Sequence, residues 1–203
     1  MVTKIYLVRH AHAKGNEERF LQGCLDTPLS SKGKSQLEDL KIKFKGRAID
    51  KIYSSDLERA RLTAMAIKSV SNFNEEIILK KELREMFFGS LEGEKISRFY
   101  GEFKALSDVW DNNPKEFASP KGESMREVYD RLGLALDEIV SQNKGKTIAI
   151  VSHGCAIRNI CARFLGGIGY LGITPWVKHS GYAVLTLDEN NSIIDFSDCL
   201  GGN

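Results

Sequence analysis

Three short polar motifs contain the residues of this sequence that are best suited to chemistry. Each motif directly follows a run of apolar or β-branched residues, which is typical of a buried strand. In chain order the motifs are Arg9-His10, Ser54-Ser55 with Arg59, and Ser152-His153-Gly154. Ligands of open α/β sheets bind at the carboxyl ends of the strands, so we expect these motifs to meet at one sheet edge.

Such a cluster would suit the chemistry of a phosphate ester. Arg9 and Arg59 could hold a phosphoryl group through charge-assisted, bidentate hydrogen bonds. The charge of Arg9 should lower the pKa of the neighbouring His10 and keep its imidazole neutral. A neutral imidazole is a nucleophile, and a phosphohistidine intermediate divides one difficult displacement into two easier ones. His153 stands where a helix begins, and the free N–H groups of a helix start favour an anion.

The leaving oxygen also needs a proton, and Glu85 is the candidate donor. A carboxylic acid in a partly apolar pocket can supply one, and Met86, Phe87 and Phe88 follow Glu85 directly. Taken singly, each of these residues is more commonly structural or solvated, and their joint placement gives the prediction its weight. His12 and His179 have no comparable support, and we expect neither to be catalytic.

The remaining sequence predicts an α/β protein with a largely parallel sheet, because short apolar runs alternate with helical patterns. Strands are predicted at 4–8, 51–53, 77–79, 147–151, 182–187 and 193–196, the last two as a hairpin. A helix is predicted at 31–44, and another follows His153. Ser55-Asp56-Leu57-Glu58 and Ser124-Met125-Arg126-Glu127 each resemble a capping box that opens a further helix.

Composition excludes several classes of protein. The 203 residues suit one domain with a sizeable core. A net charge of +2 gives no global attraction to nucleic acid or an anionic membrane. No signal peptide or membrane span is evident, so we expect a cytoplasmic location. Motifs for nucleotide loops, zinc proteases and serine hydrolases are missing, and no metal site or cofactor is predicted.

The segment 86–122 fits the alternating pattern least well. It is rich in aromatic residues and only weakly periodic. A long insertion in a compact domain is often a lid or a binding loop. The alternative is an ordinary helical excursion that packs its own aromatic side chains, and the sequence favours neither.

Together these motifs resemble the histidine phosphatase superfamily, also called the phosphoglycerate mutase-like family, over almost the whole chain. The resemblance rests on Leu7-Val8-Arg9-His10 with Asn16, Gln22-Gly23, Asp26-Thr27-Pro28-Leu29, Gly33 with Gln36, Tyr53-Ser54-Ser55-Asp56-Leu57-Glu58-Arg59-Ala60 with Thr63-Ala64, Leu83-Arg84-Glu85 with Gly89 and Glu92-Gly93, Gly122-Glu123-Ser124, and Val151-Ser152-His153-Gly154. One departure is Ala11-His12-Ala13, where the family usually has Gly, then Glu or Gln, then Thr.

The resemblance implies a three-layer α/β/α fold and a division of roles. His10 would be the phosphorylated nucleophile and Glu85 the proton donor. Arg9, Arg59 and His153 would form the phosphate pocket. The residues implied on the substrate side are Asn16, Gln22, Gly23 and Gly154. No metal or organic cofactor is implied.

Phosphatase activity is favoured over mutase activity. Mutases of the family usually have a longer insertion between the proton donor and the second histidine, with an adjacent arginine pair. Here Glu85 and His153 are 68 positions apart, with no Arg-Arg between them. The expected substrate is a small phosphorylated metabolite and the expected assembly a monomer or homodimer. The alternatives are a cofactor-dependent phosphoglycerate mutase and a weakly active, phosphate-binding regulatory relative.

Overall fold

A computed structural model describes residues 1–199, and its centre is one twisted sheet of six strands in the order β3-β2-β4-β1-β5-β6. The first four of these pair in parallel, and β5 runs antiparallel to both β1 and β6. The strand bounds are β1 Thr3–Arg9, β2 Lys51–Ser54, β3 Ile78–Leu79, β4 Thr147–Ser152, β5 Tyr182–Leu187 and β6 Ile193–Cys199. The predicted, mostly parallel sheet with a closing hairpin is confirmed.

Helices cover both faces of the sheet and complete the three predicted layers. Their bounds are α1 Lys14–Glu17, α2 Ser31–Phe44, α3 Glu58–Lys68, α4 Ile96–Gly101, α5 Lys104–Asn112, α6 Met125–Gln142 and α7 Gly154–Leu165. Short 3₁₀ helices lie at Lys81–Leu83, Gly89–Leu91, Pro114–Glu116 and Ile168–Ile173. No helix in the described part of the chain is long and apolar enough to cross a membrane.

The sequences of β1 and β4 contain continuous apolar runs because both faces of these strands are buried. Ile5 and Leu7 point into the cluster formed with α6 and α7, and Tyr6 and Val8 point into the cluster formed with α2 and α3. This double burial fixes the register of β1, because a shift by one residue would exchange the two sets of side chains. The end of β1, and therefore Arg9 and His10, is positioned by two cores at once.

One of the two predicted capping boxes is absent. At α6 the Ser124 hydroxyl accepts from the Glu127 N–H at 3.2 Å, and the Glu127 carboxylate accepts from the Ser124 N–H at 2.7 Å. At α3 the helix begins later, at Glu58, and its N–H donates to the carboxylate of Asp26 at 2.9 Å. The Ser55 hydroxyl accepts from the Leu57 N–H at 3.3 Å and lies 2.9 Å from His153 Nε2, but it bonds to no N–H group of α3 itself.

The segment 86–122 packs as a helical excursion. Phe88, Leu91, Phe99 and Phe117 are buried in the same cluster as β1 and β4. Trp110 packs edge-on against Phe117, with 4.9 Å between the ring centroids. The segment therefore contributes to the main core, as the helical alternative expects, and the structure does not test the alternative of a lid.

We expect Phe117→Ala to lower the free energy of unfolding by about 3–5 kcal/mol, the usual cost of truncating a buried aromatic residue. Phe117 is 1% exposed and packs against Phe99 and Trp110. Phe87→Ala is the matched control, because Phe87 is 41% exposed in the same segment and should lose less than about 1 kcal/mol. Urea unfolding measures both, and equal small losses would mean that the segment does not belong to the core.

Candidate active site

The central strand β4 brings the three polar motifs together. It lies between β1 and β2, so that Arg9 is paired with Ser152 and Ser54 with Val151. The residues after these strand ends are therefore neighbours, and the His10 and His153 ring centroids are 5.0 Å apart. The sequence-based expectation that the motifs share one sheet edge is met.

A cavity of about 200 Å³ opens at this edge, and we call it the substrate cavity. Its lining residues are Arg9, His10, Asn16, Phe20, Leu21, Gln22, Gly23, Arg59, Glu85, Phe88, Ile96, Trp110, Cys155 and Trp176. Seven of the nine predicted site residues are among them. The other two are His153, which is fully buried against His10, and Gly154. A Cβ atom on Gly154 would lie 2.8 Å from Trp176 and 3.1 Å from Arg9, so this glycine allows close packing of both side chains.

His10 is held as a neutral imidazole with a defined tautomer. Its Nδ1 lies 2.7 Å from the Ala11 carbonyl oxygen, which can only accept, so Nδ1 carries the proton and Nε2 keeps its lone pair. The ring is 4% exposed. Burial lowers the pKa of His10 well below its usual value, and His153 and Arg59 lower this pKa further. At neutral pH, Nε2 is therefore available as a nucleophile.

Arg59 is buried, Arg9 is half-buried, and both are anchored by backbone carbonyls. Arg59 donates to the carbonyls of Gly23 and Leu25, each at 2.7 Å, and Arg9 donates to the carbonyl of Val177 at 2.9 Å. These bonds fix the planes of both guanidinium groups before any ligand arrives. They also tie two separate loops to the site.

Three buried nitrogen atoms at this site have no hydrogen-bond partner among residues 1–199. They are Nε of Arg9, Nε of Arg59 and Nδ1 of His153. His153 Nε2 faces the Ser55 hydroxyl, and when that hydroxyl donates, the proton of His153 lies on Nδ1. An unsatisfied buried donor is costly, and three of them in one cluster are satisfied together by a single oxyanion.

The Glu85 carboxylate occupies the start of α7. It accepts from the N–H groups of Cys155 and Ala156, each at 3.1 Å, and from the Met86 N–H at 3.0 Å. The N–H groups of Cys155 and Ala156 were expected to be free for a bound anion, but a side chain of the protein occupies them. The arrangement points the carboxyl group into the substrate cavity.

Asn16 and Gln22 each use their side-chain oxygen within the protein. Asn16 accepts from the Ala13 N–H at 2.9 Å, and Gln22 accepts from the Thr27 hydroxyl at 2.5 Å. Their amide NH₂ groups make no hydrogen bond to any described residue, and both side chains line the cavity. They can therefore donate to the oxygens of a substrate, as predicted for the substrate side.

The unusual Ala11-His12-Ala13 segment is held through its backbone. Its three consecutive N–H groups donate to side-chain oxygens at 2.9 Å, and the acceptors are, in order, Thr63, Gln36 and Asn16. Ala11 and Ala13 are fully buried. The segment is thus fixed by three different elements, although neither alanine can contact a ligand through a hydroxyl.

Sequence reasoning missed the contribution of the loop before β5. The His179 ring packs edge-on against His10 at 5.4 Å and against His12 at 5.2 Å. Trp176 from the same loop lines the cavity. No local sequence signal announced this contribution, because it depends on the antiparallel pairing of β5 with β1, which places the start of β5 beside the end of β1. Among residues 1–199, no cluster of three or more potential metal ligands is present.

The histidine cluster should make the fold sensitive to mild acid. Burial and the charge of Arg9 lower the pKa of His179 to about 2, whereas the unfolded chain has a histidine pKa of about 6.5. Below pH 6.5 the unfolded chain binds a proton that the folded chain does not. The contribution of this histidine to the free energy of unfolding is therefore fully present above pH 6.5 and is lost progressively below it. Below that pH, each such histidine lowers the free energy of unfolding by about 1.4 kcal/mol for every pH unit.

We therefore expect His179→Gln to reduce the loss of unfolding free energy between pH 7.5 and 5.5 by about 1.4 kcal/mol. The measurement is urea unfolding at both pH values. His12→Gln is the control, since His12 is more exposed and the lowering of its pKa is smaller. An unchanged pH dependence in His179→Gln would show that His179 is protonated as readily in the folded state as in the unfolded chain.

Comparison with known proteins agrees with this geometry. Residues 5–193 match the family described as "Histidine phosphatase superfamily (branch 1)". A relative from Escherichia coli O1:K1 named "Probable phosphoglycerate mutase GpmB" is 35% identical over 163 residues, which are 80% of this chain and 75% of the relative.

Two solved structures illustrate the similarity of fold. YhfR of Bacillus stearothermophilus is 26% identical, with a TM-score of 0.88 and coverage of 99% of this chain and 98% of that one. A mutant phosphoserine phosphatase of Entamoeba histolytica, solved with phosphoserine, is 26% identical, with a TM-score of 0.80 and 96% coverage of both chains. The match over residues 5–193 and the 35% identical relative together show that this chain belongs to the histidine phosphatase superfamily.

Proposed function

We propose that this protein is a phosphatase that hydrolyses a small phosphomonoester through a phosphohistidine at His10. The observation that carries the proposal is the set of three unpartnered nitrogens, on Arg9, Arg59 and His153, around a neutral His10. A phosphoryl group placed there accepts from all three and lies next to the free Nε2 of His10. None of these three nitrogens has a hydrogen-bond partner among the described residues.

The chain's own groups supply each step of such a reaction. Nε2 of His10 attacks phosphorus while the ester oxygen departs with a proton from Glu85. The two guanidinium groups and His153 stabilise the charge on the equatorial oxygens. Water then attacks the phosphohistidine, Glu85 takes up the proton of that water, and inorganic phosphate leaves. Because Glu85 lines the cavity and is fixed by three N–H groups, it is in place for both transfers.

The lining of the cavity favours a phosphatase over a mutase. Arg9 and Arg59 are the only cationic residues among the described residues that line it, and both belong to the phosphoryl end. A phosphoglycerate mutase must also hold the substrate carboxylate, which needs further cations. The large apolar and aromatic residues of the wall are Phe20, Leu21, Phe88, Ile96, Trp110 and Trp176. This wall supports a substrate whose organic part is apolar or aromatic.

The name of the 35% identical relative makes mutase activity the second candidate. Besides the phosphohistidine, we propose that the protein is cytoplasmic and that it is a monomer or a homodimer. A panel of phosphomonoesters with apolar, polar and carboxylate-bearing alcohol groups, assayed for phosphate release, tests the substrate preference.

We expect His10→Ala to lower phosphate release by at least about 10³-fold and to abolish an acid-labile phosphoenzyme, since removal of a nucleophile costs at least this much. The measurement is rapid quenching with a ³²P-labelled substrate. His12→Gln is the matched control and should keep most of the activity, because His12 does not line the substrate cavity.

Three outcomes would contradict the proposal. Unchanged turnover in His10→Ala would exclude the phosphohistidine mechanism. Efficient isomerisation of phosphoglycerates by the wild-type protein, dependent on bisphosphoglycerate and faster than phosphate release, would identify a mutase. No turnover of any ester by the wild-type protein, with binding of phosphate retained, would identify a regulatory relative.

We expect Glu85→Gln to slow hydrolysis of an alkyl phosphate by roughly 10²–10⁴-fold, the usual contribution of general acid catalysis. The loss on p-nitrophenyl phosphate should be much smaller, because nitrophenolate departs without a proton. The ratio of the two losses in kcat/KM is the measurement, and each substrate serves as the control for the other. An equal loss on both substrates would assign Glu85 a structural role at the start of α7.

A further inference from the structure

A second cavity lies on the other side of Arg9 from the substrate cavity, between α2 and the loop before β5. We call it the lysine cleft, and its volume is about 630 Å³. Its lining residues are Arg9, Lys32, Ser35, Gln36, Asp39, Lys43, Trp176, Val177, Lys178, His179 and Ser180. Arg9 and Trp176 line both cavities and form the wall between them. The proposed reaction uses nothing else of this cleft.

The charge of the lysine cleft is strongly positive. Lys32, Lys43 and Lys178 face it, and none of the three joins an ion pair with any described residue. Asp39 is the one acidic residue in the lining. Three free ammonium groups against one carboxylate attract an anion, and local clustering of this kind is notable in a chain of net charge +2.

Buried polar atoms without partners point to a bound ligand. Ser180 is 5% exposed, lines the cleft, and its hydroxyl has no hydrogen-bond partner in the described part of the chain. Nε2 of His179, in the same lining, is also buried and unpartnered. A hydroxyl and an imidazole next to three ammonium groups are the donors that an oxyanion requires.

We infer that the lysine cleft is a second oxyanion site, distinct from the substrate cavity, which binds inorganic phosphate or an anion of the same chemistry. The oxyanion accepts from Ser180 and His179 and is neutralised by Lys32, Lys43 and Lys178. Since Arg9 lines both cavities and His179 packs against His10, binding in the cleft is coupled to binding in the substrate cavity. Such coupling is reciprocal.

The test is a titration with inorganic phosphate, followed by ¹H–¹⁵N correlation spectra at constant ionic strength. Two groups of amide signals should shift, and their titration curves should give different dissociation constants. The first group surrounds Gly154 and Gly23 at the substrate cavity, and the second surrounds Gln36, Lys178 and Ser180 at the lysine cleft. Sulfate should shift the second group as well, because the cleft offers charge and hydrogen-bond donors but no reactive group. Absence of any shift in the second group up to tens of millimolar phosphate would overturn the inference.

Matched variants separate a built site from general charge attraction. Lys32→Gln with Lys43→Gln should weaken binding in the cleft by about tenfold and leave the affinity of the substrate cavity within about twofold. Lys34→Gln with Lys41→Gln is the control, because it removes two charges from the same helix at positions that do not line the cleft. Equal weakening by both pairs would overturn the inference.

Ser180→Ala gives a second, independent readout. It removes only the unpartnered hydroxyl, so the protein should remain folded while the second group of amides binds phosphate several-fold more weakly. Unchanged affinity in this variant together with unchanged affinity in the Lys32 and Lys43 pair would refute the site. In steady-state kinetics, the non-competitive component of inhibition by phosphate should disappear in the variant that combines Lys32→Gln and Lys43→Gln.

Discussion

Two buried guanidinium groups at one edge of the sheet impose the constraint on which the rest of the site depends. Arg59 is 1% exposed, and burial lowers the pKa of both Arg59 and Arg9. Like charges in a water-poor site are costly unless hydrogen bonds and an opposite charge offset them. Three backbone carbonyls and the Glu85 carboxylate do so here, and any further positive charge would be unfavourable. The histidines beside them must therefore remain neutral, which is the state that a nucleophile needs.

The same hydrogen bonds that stabilise the arginines also organise the loops. Arg59 holds the carbonyls of Gly23 and Leu25, and Arg9 holds the carbonyl of Val177. The loops that contain Gly23 and Val177 are more than 150 positions apart in sequence, and the two guanidinium groups hold both of them at the site. The phosphoryl ligand would contact the same guanidinium groups. Removal of either arginine would consequently alter loop position as well as ligand binding, and activity measurements alone would not separate the two effects.

The sequence predicted the sheet edge well because the signals were local. Continuous apolar runs marked β1 and β4, and the polar residues directly after them were the ones that meet. The predicted capping box at Ser55 was wrong, because α3 begins only at Glu58, whose N–H donates to Asp26, while the Ser55 hydroxyl contacts His153 and the Leu57 N–H. The roles of Trp176 and His179 depended on pairing between β1 and β5, which no local pattern encodes. The apolar wall from the segment 86–122 was likewise unspecified, since its aromatic residues suited a core and a cavity equally.

Arg9 lines two cavities at once, the substrate cavity and the lysine cleft. Its terminal nitrogen is bound to Val177, its Nε has no protein partner, and its side chain separates the substrate cavity from the lysine cleft. The charge of Arg9 therefore acts on both cavities over short distances, at which screening by salt is weak. An anion on either side of Arg9 reduces the positive potential felt on the other side. Occupancy of the cleft would thus weaken phosphate binding in the substrate cavity, and would favour release of product over its retention.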